Sequence, residues 1–195
     1  MGRRKTIDRD RVLDVAEGIV ATRGAAALTI GAVAVAAGIT KGGVQSCFGT
    51  KEAMIAAMLK RWLEEDDRRF LSAGGDAAAP VDRIRAHVET THRLDEASHA
   101  RAVALLAALL QTPEHLLAAR GWYADRLRGL HPADAGGRRA RLAFLAAEGA
   151  TLLRFCGLLP MTQHDWDDIF ADIRHLLDPA PGIPAAGAEG DPAAS

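Results

Sequence analysis

The sequence predicts an all-helical (all-α) protein with two domains and about nine helices. Leu and Ala are abundant, aromatic residues make up only 5 % of the 195 residues, and no run is rich in Val, Ile and Thr. Strands usually carry such runs, so a sheet is not expected. Apolar residues instead recur three and four positions apart in successive segments, which is the spacing of one helix face.

The first predicted helix begins near Asp8, a suitable N-cap, runs to Thr22 and stops at Gly24. Its apolar stripe, expected to pack against the next two helices, consists of Val12, Val15, Ala16, Ile19 and Val20.

Residues 29–52 predict a helix-turn-helix. A short helix of small residues is followed by a turn at Gly38, a second short helix opened by Thr40, and a third helix from Thr50. Small residues let the second helix cross the first closely, and glycine adopts the left-handed conformation that the sharp turn needs. This geometry allows a helix to lie in the major groove of DNA.

The second short helix carries side chains that suit a DNA contact. Thr40 is placed to cap the helix and to reach a phosphate. Gly42 and Gly43 each cost a helix roughly 1 kcal/mol relative to Ala, which indicates a backbone that approaches DNA closely. Val44 suits a thymine methyl group, and Lys51 suits a phosphate. The predicted DNA-binding residues are Thr29, Thr40, Lys41, Gly42, Gly43, Val44, Gln45, Ser46, Phe48 and Lys51, with Arg3, Arg4 and Lys5 of an N-terminal arm.

Charge is divided unevenly along the chain. The net charge is −1, but residues 1–61 carry +5 and the remainder carries −6. The basic N-terminal part should be attracted to double-stranded DNA, whereas the acidic remainder should be repelled by it. The basic arm leaves two interpretations open, a minor-groove contact or a solvated, frayed terminus.

The run Gly38–Ala53, GITKGGVQSCFGTKEA, resembles the DNA-binding domain of the TetR family of bacterial transcriptional regulators, and the likeness covers residues 8–60. The resemblance implies an all-helical homodimer on a pseudo-palindromic operator, with a C-terminal domain that binds a small molecule. Many members have Tyr-His or Tyr-Tyr where this chain has Gln45-Ser46-Cys47, and Gly49 replaces a proline. Gln45 either substitutes for the tyrosine's phosphate contact or contacts an adenine.

We predict three regions along the chain. Residues 1–49 form the helix-turn-helix DNA-binding domain with its basic arm, residues 50–178 form a helical ligand-binding and dimerisation domain, and residues 179–195 form a disordered tail. Within the second region, residues 50–71 form a helix that connects the domains, with Trp62 at its hinge. The six charged residues 64–69 are expected to form a solvated face of that helix.

Residues 138–158 are apolar nearly all round, so this helix needs two partners, its own core and a second subunit. A last helix over residues 162–177 completes half of a four-helix dimer interface. The predicted interface residues are Leu142, Leu145, Gly149, Leu152, Trp166, Phe170 and Ile173.

Glu148 interrupts an apolar helix face, where a carboxylate must be paired or must face a cavity. Arg120 and His87 are candidate partners, and an ion pair at the dimer interface is the alternative. The predicted binding site for a mostly apolar small-molecule effector consists of Trp62, His87, Thr91, Leu106, Tyr123, Phe144 and Glu148.

Other classes of protein lack support. No HExxH motif, nucleophile elbow or phosphate-binding loop occurs, so we expect no enzyme and no cofactor. One face of the last helix carries His164, Asp168, Asp172 and His175. This face is more simply the solvent-exposed side of the helix, so we expect no metal. Cys47 and Cys156 are expected to be small core residues. No signal sequence or membrane span is expected, which predicts a cytoplasmic protein without a membrane partner.

The sequence therefore predicts a sequence-specific DNA-binding regulator, a homodimeric repressor released from its operator by a small molecule. A transcriptional activator of the same fold, or a helical protein that binds a small molecule without specific DNA binding, remains the alternative.

Overall fold

The computed structural model describes residues 7–77, 79–95, 97–99, 101–102, 105 and 113–178, and every regular element in these ranges is helical. The predicted all-α class is therefore confirmed. Described residues 97–99, 101–102 and 105 are helical too, between α5 and α6. The helices with defined bounds are α1 (Arg9–Arg23), α2 (Ile30–Ala37), α3 (Lys41–Phe48), α4 (Lys51–Ser72), α5 (Pro80–Arg93), α6 (Pro113–Arg126), α7 (Ala135–Phe155) and α8 (Gln163–His175), with a 3-10 turn at Ala25–Ala27.

The head consists of α1, α2 and α3, and side-chain caps fix its helix starts. Asp8 caps α1, and Gly24 ends it. The hydroxyls of Thr29, Thr40 and Thr50 accept the backbone N–H three residues on, at 3.0–3.1 Å, which opens α2, α3 and α4. Each such cap is worth about 1 kcal/mol. The predicted starts of these helices are confirmed.

Gly38 ends α2 in the left-handed conformation, at φ 66°. Glycine adopts it without the steric cost of a Cβ atom. The turn places α3 across α2, and the N-terminal half of α4 packs against the head and completes its core. The fully buried residues of this core include Leu28, Val33, Met54 and Met58.

The 22 residues of α4 connect the head to the body. At 1.5 Å per residue the helix spans about 33 Å, so its first turns lie under α3 while its last turns lie beside α5 and α6. Met54, Ile55, Met58 and Leu59 are buried on one face, as the apolar periodicity predicts.

The body is built around α5, α7 and α8. Trp166, Phe170 and Ile173 of α8 are buried against α5 and α7 of the same chain, with exposures of 2 %, 0 % and 4 %. Their predicted place in a dimer interface is therefore wrong. The stripe of α8 is apolar because it closes its own domain's core, and periodicity alone does not distinguish that role from contact with a second subunit.

The two apolar sides of α7 differ in burial. Ala143, Phe144, Ala147 and Ala150 are buried within the body. On the other side, Leu142 and Leu145 are each 56 % exposed, Leu152 is 41 % exposed, and Gly149 is half-buried. Large apolar side chains on one helix face mark a surface that another molecule can cover.

Two smaller expectations are wrong. Cys156 is exposed, because it follows the last turn of α7, whereas Cys47 packs against the head core as predicted. The charged stretch 64–69 is not wholly a solvated face. Asp66 is buried, because α6 lies over this part of α4 and brings Arg126 to it at 3.1 Å. None of the described helices is long and apolar enough to cross a membrane.

Candidate functional site

The outer face of α3 presents polar side chains to solvent. Lys41, Gly42, Gln45 and Ser46 are exposed, and they lie on one side of a helix of eight residues. Side chains of these types hydrogen-bond to phosphates and base edges. This face is the candidate DNA-contacting surface.

Two predicted DNA contacts are contradicted. Val44 has no exposed area, and Phe48 is 7 % exposed, because the inner side of α3 packs on the head core. The Arg9 guanidinium lies 4.9 Å from the centre of the Phe48 ring and covers it further. Neither side chain reaches a thymine methyl without unfolding the head.

The two glycines of α3 have different explanations. A Cβ atom on Gly43 would lie 2.8 Å from Cδ1 of Ile7, so this glycine accommodates the residue that precedes α1 rather than DNA. A Cβ atom on exposed Gly42 would meet nothing closer than Oγ1 of Thr40, at 3.9 Å. Of the two glycines, Gly42 is therefore the one that leaves the backbone of α3 accessible to another molecule.

The remaining predicted residues surround this face. Thr29 and Thr40 are exposed and use their oxygen lone pairs for capping, which leaves each O–H free to donate to a phosphate. The Lys41 stem lies over α2, with Cε 3.1 Å from where a Cβ atom on Gly31 would be. Lys51 is half-buried in the first turn of α4. Arg3, Arg4 and Lys5 lie outside the described residues.

A second candidate site is a cavity between the helices of the body and the C-terminal half of α4. Its volume is about 80 Å³, measured as the space that the centre of a water molecule can occupy. The described lining residues are Leu59, Trp62, Leu63, Asp66, His87, Thr91, Leu94, His99, Ala102, Leu105, Ala119, Trp122, Tyr123, Glu148, Thr151 and Leu152.

Five predicted effector-binding residues line this cavity: Trp62, His87, Thr91, Tyr123 and Glu148. Phe144 does not line it, but its ring supports His87 from behind, with ring centres 4.6 Å apart. Leu106 lies outside the described residues.

Glu148 is held in the cavity wall by two donors. The Tyr123 hydroxyl donates to its Oε2 at 2.9 Å, and Nε2 of His87 donates to its Oε1 at 2.9 Å. His87 is thus the partner, while Arg120 is exposed. Burial, with the Glu148 carboxylate next to it, raises the pKa of Tyr123 well above its usual range, so this hydroxyl stays protonated.

Asp66 lies next to this group and belongs to a buried ion pair. Arg126 donates to Asp66 and, at 2.7 Å, to Asp67, and its guanidinium lies 3.6 Å from the centre of the Phe70 ring and 4.5 Å from that of Trp122. Burial raises the pKa of Asp66, while the neighbouring His87 and Arg126 act in the opposite direction.

Sequence reasoning missed His99, Trp122 and Asp66 as lining residues. Trp122 is the neighbour of Tyr123, which the sequence predicts to line the site. Where apolar residues occur on several sides of a helix, their spacing does not decide which of two adjacent residues faces the cavity. Nothing in the local sequence around His99 indicates burial. His99 is nevertheless only 1 % exposed, and its ring stacks on that of Phe155 with the ring centres 4.0 Å apart.

The segment that follows His99 joins the cavity to the head. Ala102 and Leu105 line the cavity, and Leu105 also packs into the head core. Arg101, between them and His99, donates to the buried Glu17 of α1 at 3.1 Å. Arg61 of α4 contacts the same carboxylate at 2.7 Å. One buried acid therefore contacts both α4 and the segment that follows His99.

An exposed polar helix in a helix-turn-helix head, joined to a separate helical body that contains a cavity, is the arrangement of a DNA-binding regulator. Residues 12–58 match the model for bacterial regulatory proteins of the TetR family, and residues 81–178 match that for the tetracyclin repressor-like C-terminal domain. The chain belongs to the TetR family of transcriptional regulators, as the resemblance predicted. The predicted domain boundaries stay a prediction.

Individual proteins agree with this assignment. The chain is 33 % identical over 94 residues to the HTH-type transcriptional repressor KstR2 of Rhodococcus jostii. That alignment covers 47 % of this chain and 45 % of the repressor, so the chain matches less than half of that relative's length.

Solved structures share the fold. A transcriptional regulator from Rhodococcus sp. Rha1 has a TM-score of 0.68 at 21 % identity, over 88 % of this chain and 96 % of that one. The TetR family regulator PfmR from Thermus thermophilus has 0.63 at 19 % identity, over 86 % and 97 %. The multidrug binding protein EbrR in complex with malachite green has 0.61 at 23 % identity, over 87 % and 98 %.

Proposed function

We propose that this protein is a homodimeric repressor that binds a pseudo-palindromic operator through α3 and leaves it when a small molecule occupies the cavity of the body. The exposed face of Lys41, Gly42, Gln45 and Ser46 on a capped, rigidly packed helix is the observation that carries the proposal. The family assignment supports DNA-dependent regulation.

The exposed leucine face of α7, formed by Leu142, Leu145, Leu152 and Leu153, supports dimerisation. Two copies joined there would place two α3 helices on one DNA face, with half-sites near 34–36 Å apart, one helical turn. The cavity supports ligand control, and EbrR, a relative in fold, has been seen with malachite green and with ethidium. A ligand removes the protein from DNA only by its differential affinity for the two states.

Footprinting on the DNA that flanks the protein's own gene tests the proposal, combined with transcription from that DNA in vitro. We expect two protected half-sites one helical turn apart and less transcript when protein is added. More transcript would indicate an activator of the same fold. Binding to random DNA as tight as to any flanking site would contradict specific regulation. No binding to the flanking DNA at all would favour the protein that only binds a small molecule.

A further inference from the structure

Two buried polar atoms of the cavity wall have no hydrogen-bond partner among the described residues. They are Nε1 of Trp62 and Nε2 of His99. A buried polar group without a partner costs free energy, and a bound molecule can supply the missing partner. The cavity is therefore built for a ligand that carries polar groups as well as apolar surface.

The two atoms need different hydrogen-bond partners. An indole N–H only donates, so Trp62 needs an acceptor. Nδ1 of His99 lies 3.2 Å from the Asp95 carbonyl oxygen, which only accepts, so Nδ1 carries the proton of the ring. Burial lowers the pKa of His99 to about 4, so the ring is neutral at pH 7 and its Nε2 is an acceptor that needs a donor.

The charges of the lining argue against an anionic ligand. Asp66 and Glu148 both line the cavity, and no Lys or Arg does so among the described lining residues. A ligand carboxylate or phosphate would face two acids in a poorly solvated site, where like charges repel strongly.

Both acids already have hydrogen-bond partners without a cationic ligand. Both Glu148 oxygens accept hydrogen bonds, from Tyr123 and His87, and Asp66 is paired with Arg126. The Arg126 guanidinium also lies over the ring of Trp122. The unpartnered groups are the neutral indole and imidazole, and they do not require a charged partner.

Resting on the proposed role of this cavity as the effector site, we infer that its ligand is a neutral, largely aromatic or aliphatic molecule with a hydroxyl group. A hydroxyl both accepts and donates, so such a molecule offers what Trp62 and His99 lack. The other walls, including Leu59, Leu63 and Ala119, contact its apolar part.

Calorimetric titration of the full chain with four matched probes tests the inference. The probes are 2-naphthol, naphthalene, 2-naphthoate and 2-naphthylmethylammonium, which differ only in the group on one ring. We expect 2-naphthol to bind most tightly, roughly 3- to 10-fold better than naphthalene, the value of one hydrogen bond. Tighter binding of the anion or the cation would overturn the inference, as would binding of all four weaker than about 1 mM.

Three variants locate the effect. Trp62→Phe and His99→Phe keep a ring but remove one hydrogen-bonding atom, so each should reduce the preference for 2-naphthol over naphthalene. Trp166→Phe is the control, because that indole donates to the His92 carbonyl and does not line the cavity. An unchanged preference in both cavity variants would contradict the inference. The titration contains no DNA, so its failure is separate from any failure of the footprint.

Discussion

We predict that Lys51 and Gln45 contact DNA in different ways, because they occupy different positions in the helix-turn-helix. Lys51 is in the first turn of α4, whereas Gln45 is on the outer face of α3. We predict that Lys51→Ala weakens binding to every sequence and lowers the slope of log K against log salt by about 1, because one phosphate contact is lost. Gln45→Ala should instead change the base preference at one position of the site.

Filter binding over a salt series, with operator and scrambled duplexes, measures both effects. Lys60→Ala is a matched control, because this exposed lysine pairs with Glu64 further along α4. A salt slope that Lys51→Ala leaves unchanged would show that this lysine does not contact phosphate. Uniform weakening by Gln45→Ala would argue against base recognition.

His99 makes stability depend on pH. Its folded pKa, about 4, lies below the unfolded value near 6.5, so the unfolded chain binds more protons between these pH values. Stability from this residue is complete above pH 6.5 and is lost as the pH falls toward 4, by up to roughly 3 kcal/mol. We predict that His99→Phe reduces the loss of unfolding free energy between pH 7 and pH 4.5, measured by urea denaturation. Equal losses in both proteins would contradict a buried neutral ring.

At the scale of elements, α4 and α6 are joined by a buried ion pair. Asp66 and Arg126 are each about 7–8 % exposed in their side chains. Breaking such a pair leaves an unpaired buried charge. We predict that Arg126→Leu lowers the free energy of unfolding by about 3–5 kcal/mol, measured with urea.

Arg128→Leu provides the comparison for that variant. Arg128 pairs with Asp125 on the surface, with 75 % and 60 % of the side chains exposed. Exposed pairs are worth about 1 kcal/mol or less. Similar losses in the two variants would show that the Asp66–Arg126 pair has no special role in holding α6 on α4.

The helix starts were predictable and the helix faces only partly so. Thr40 and Thr50 cap α3 and α4 because a hydroxyl beside free N–H groups needs no other element of the fold. The sequence predicts a DNA contact for Val44, yet this side chain packs into the head. Adjacent positions on a short helix differ by 100°, and the neighbouring helices decide which side is covered.

At the scale of the whole molecule, the leucine face of α7 predicts the oligomeric state. Leu145→Glu places a charge on that face and should give a particle near the chain mass of 20.7 kDa in light scattering. Ala124→Glu, at an exposed position of α6, should leave the dimer intact. A dimer that persists with Leu145→Glu would place the interface elsewhere.

The ion pairs of Glu17 with Arg61 and Arg101 predict how the cavity and the head communicate. Arg101 joins α1 to the segment that contains the lining residues His99 and Ala102, so DNA binding should change the environment of Trp62 and Trp122 in the cavity. We predict that Arg101→Ala reduces the tryptophan fluorescence change on addition of the footprinted duplex, while DNA affinity changes less. Arg93→Ala, which removes an exposed arginine paired with the half-buried Glu89, is the control. An undiminished change in Arg101→Ala would exclude this route.

The sequence by itself determined the all-helical class, the capped helix-turn-helix and the basic head, because these follow from local spacing, capping and charge. Only the tertiary structure decided that Trp166, Phe170 and Ile173 close their own core while Leu142 and Leu145 remain outside. It also decided that Glu148 lies between His87 and Tyr123. Each of these depends on which helices pack together, and the periodicity of one helix carries no information about its neighbours.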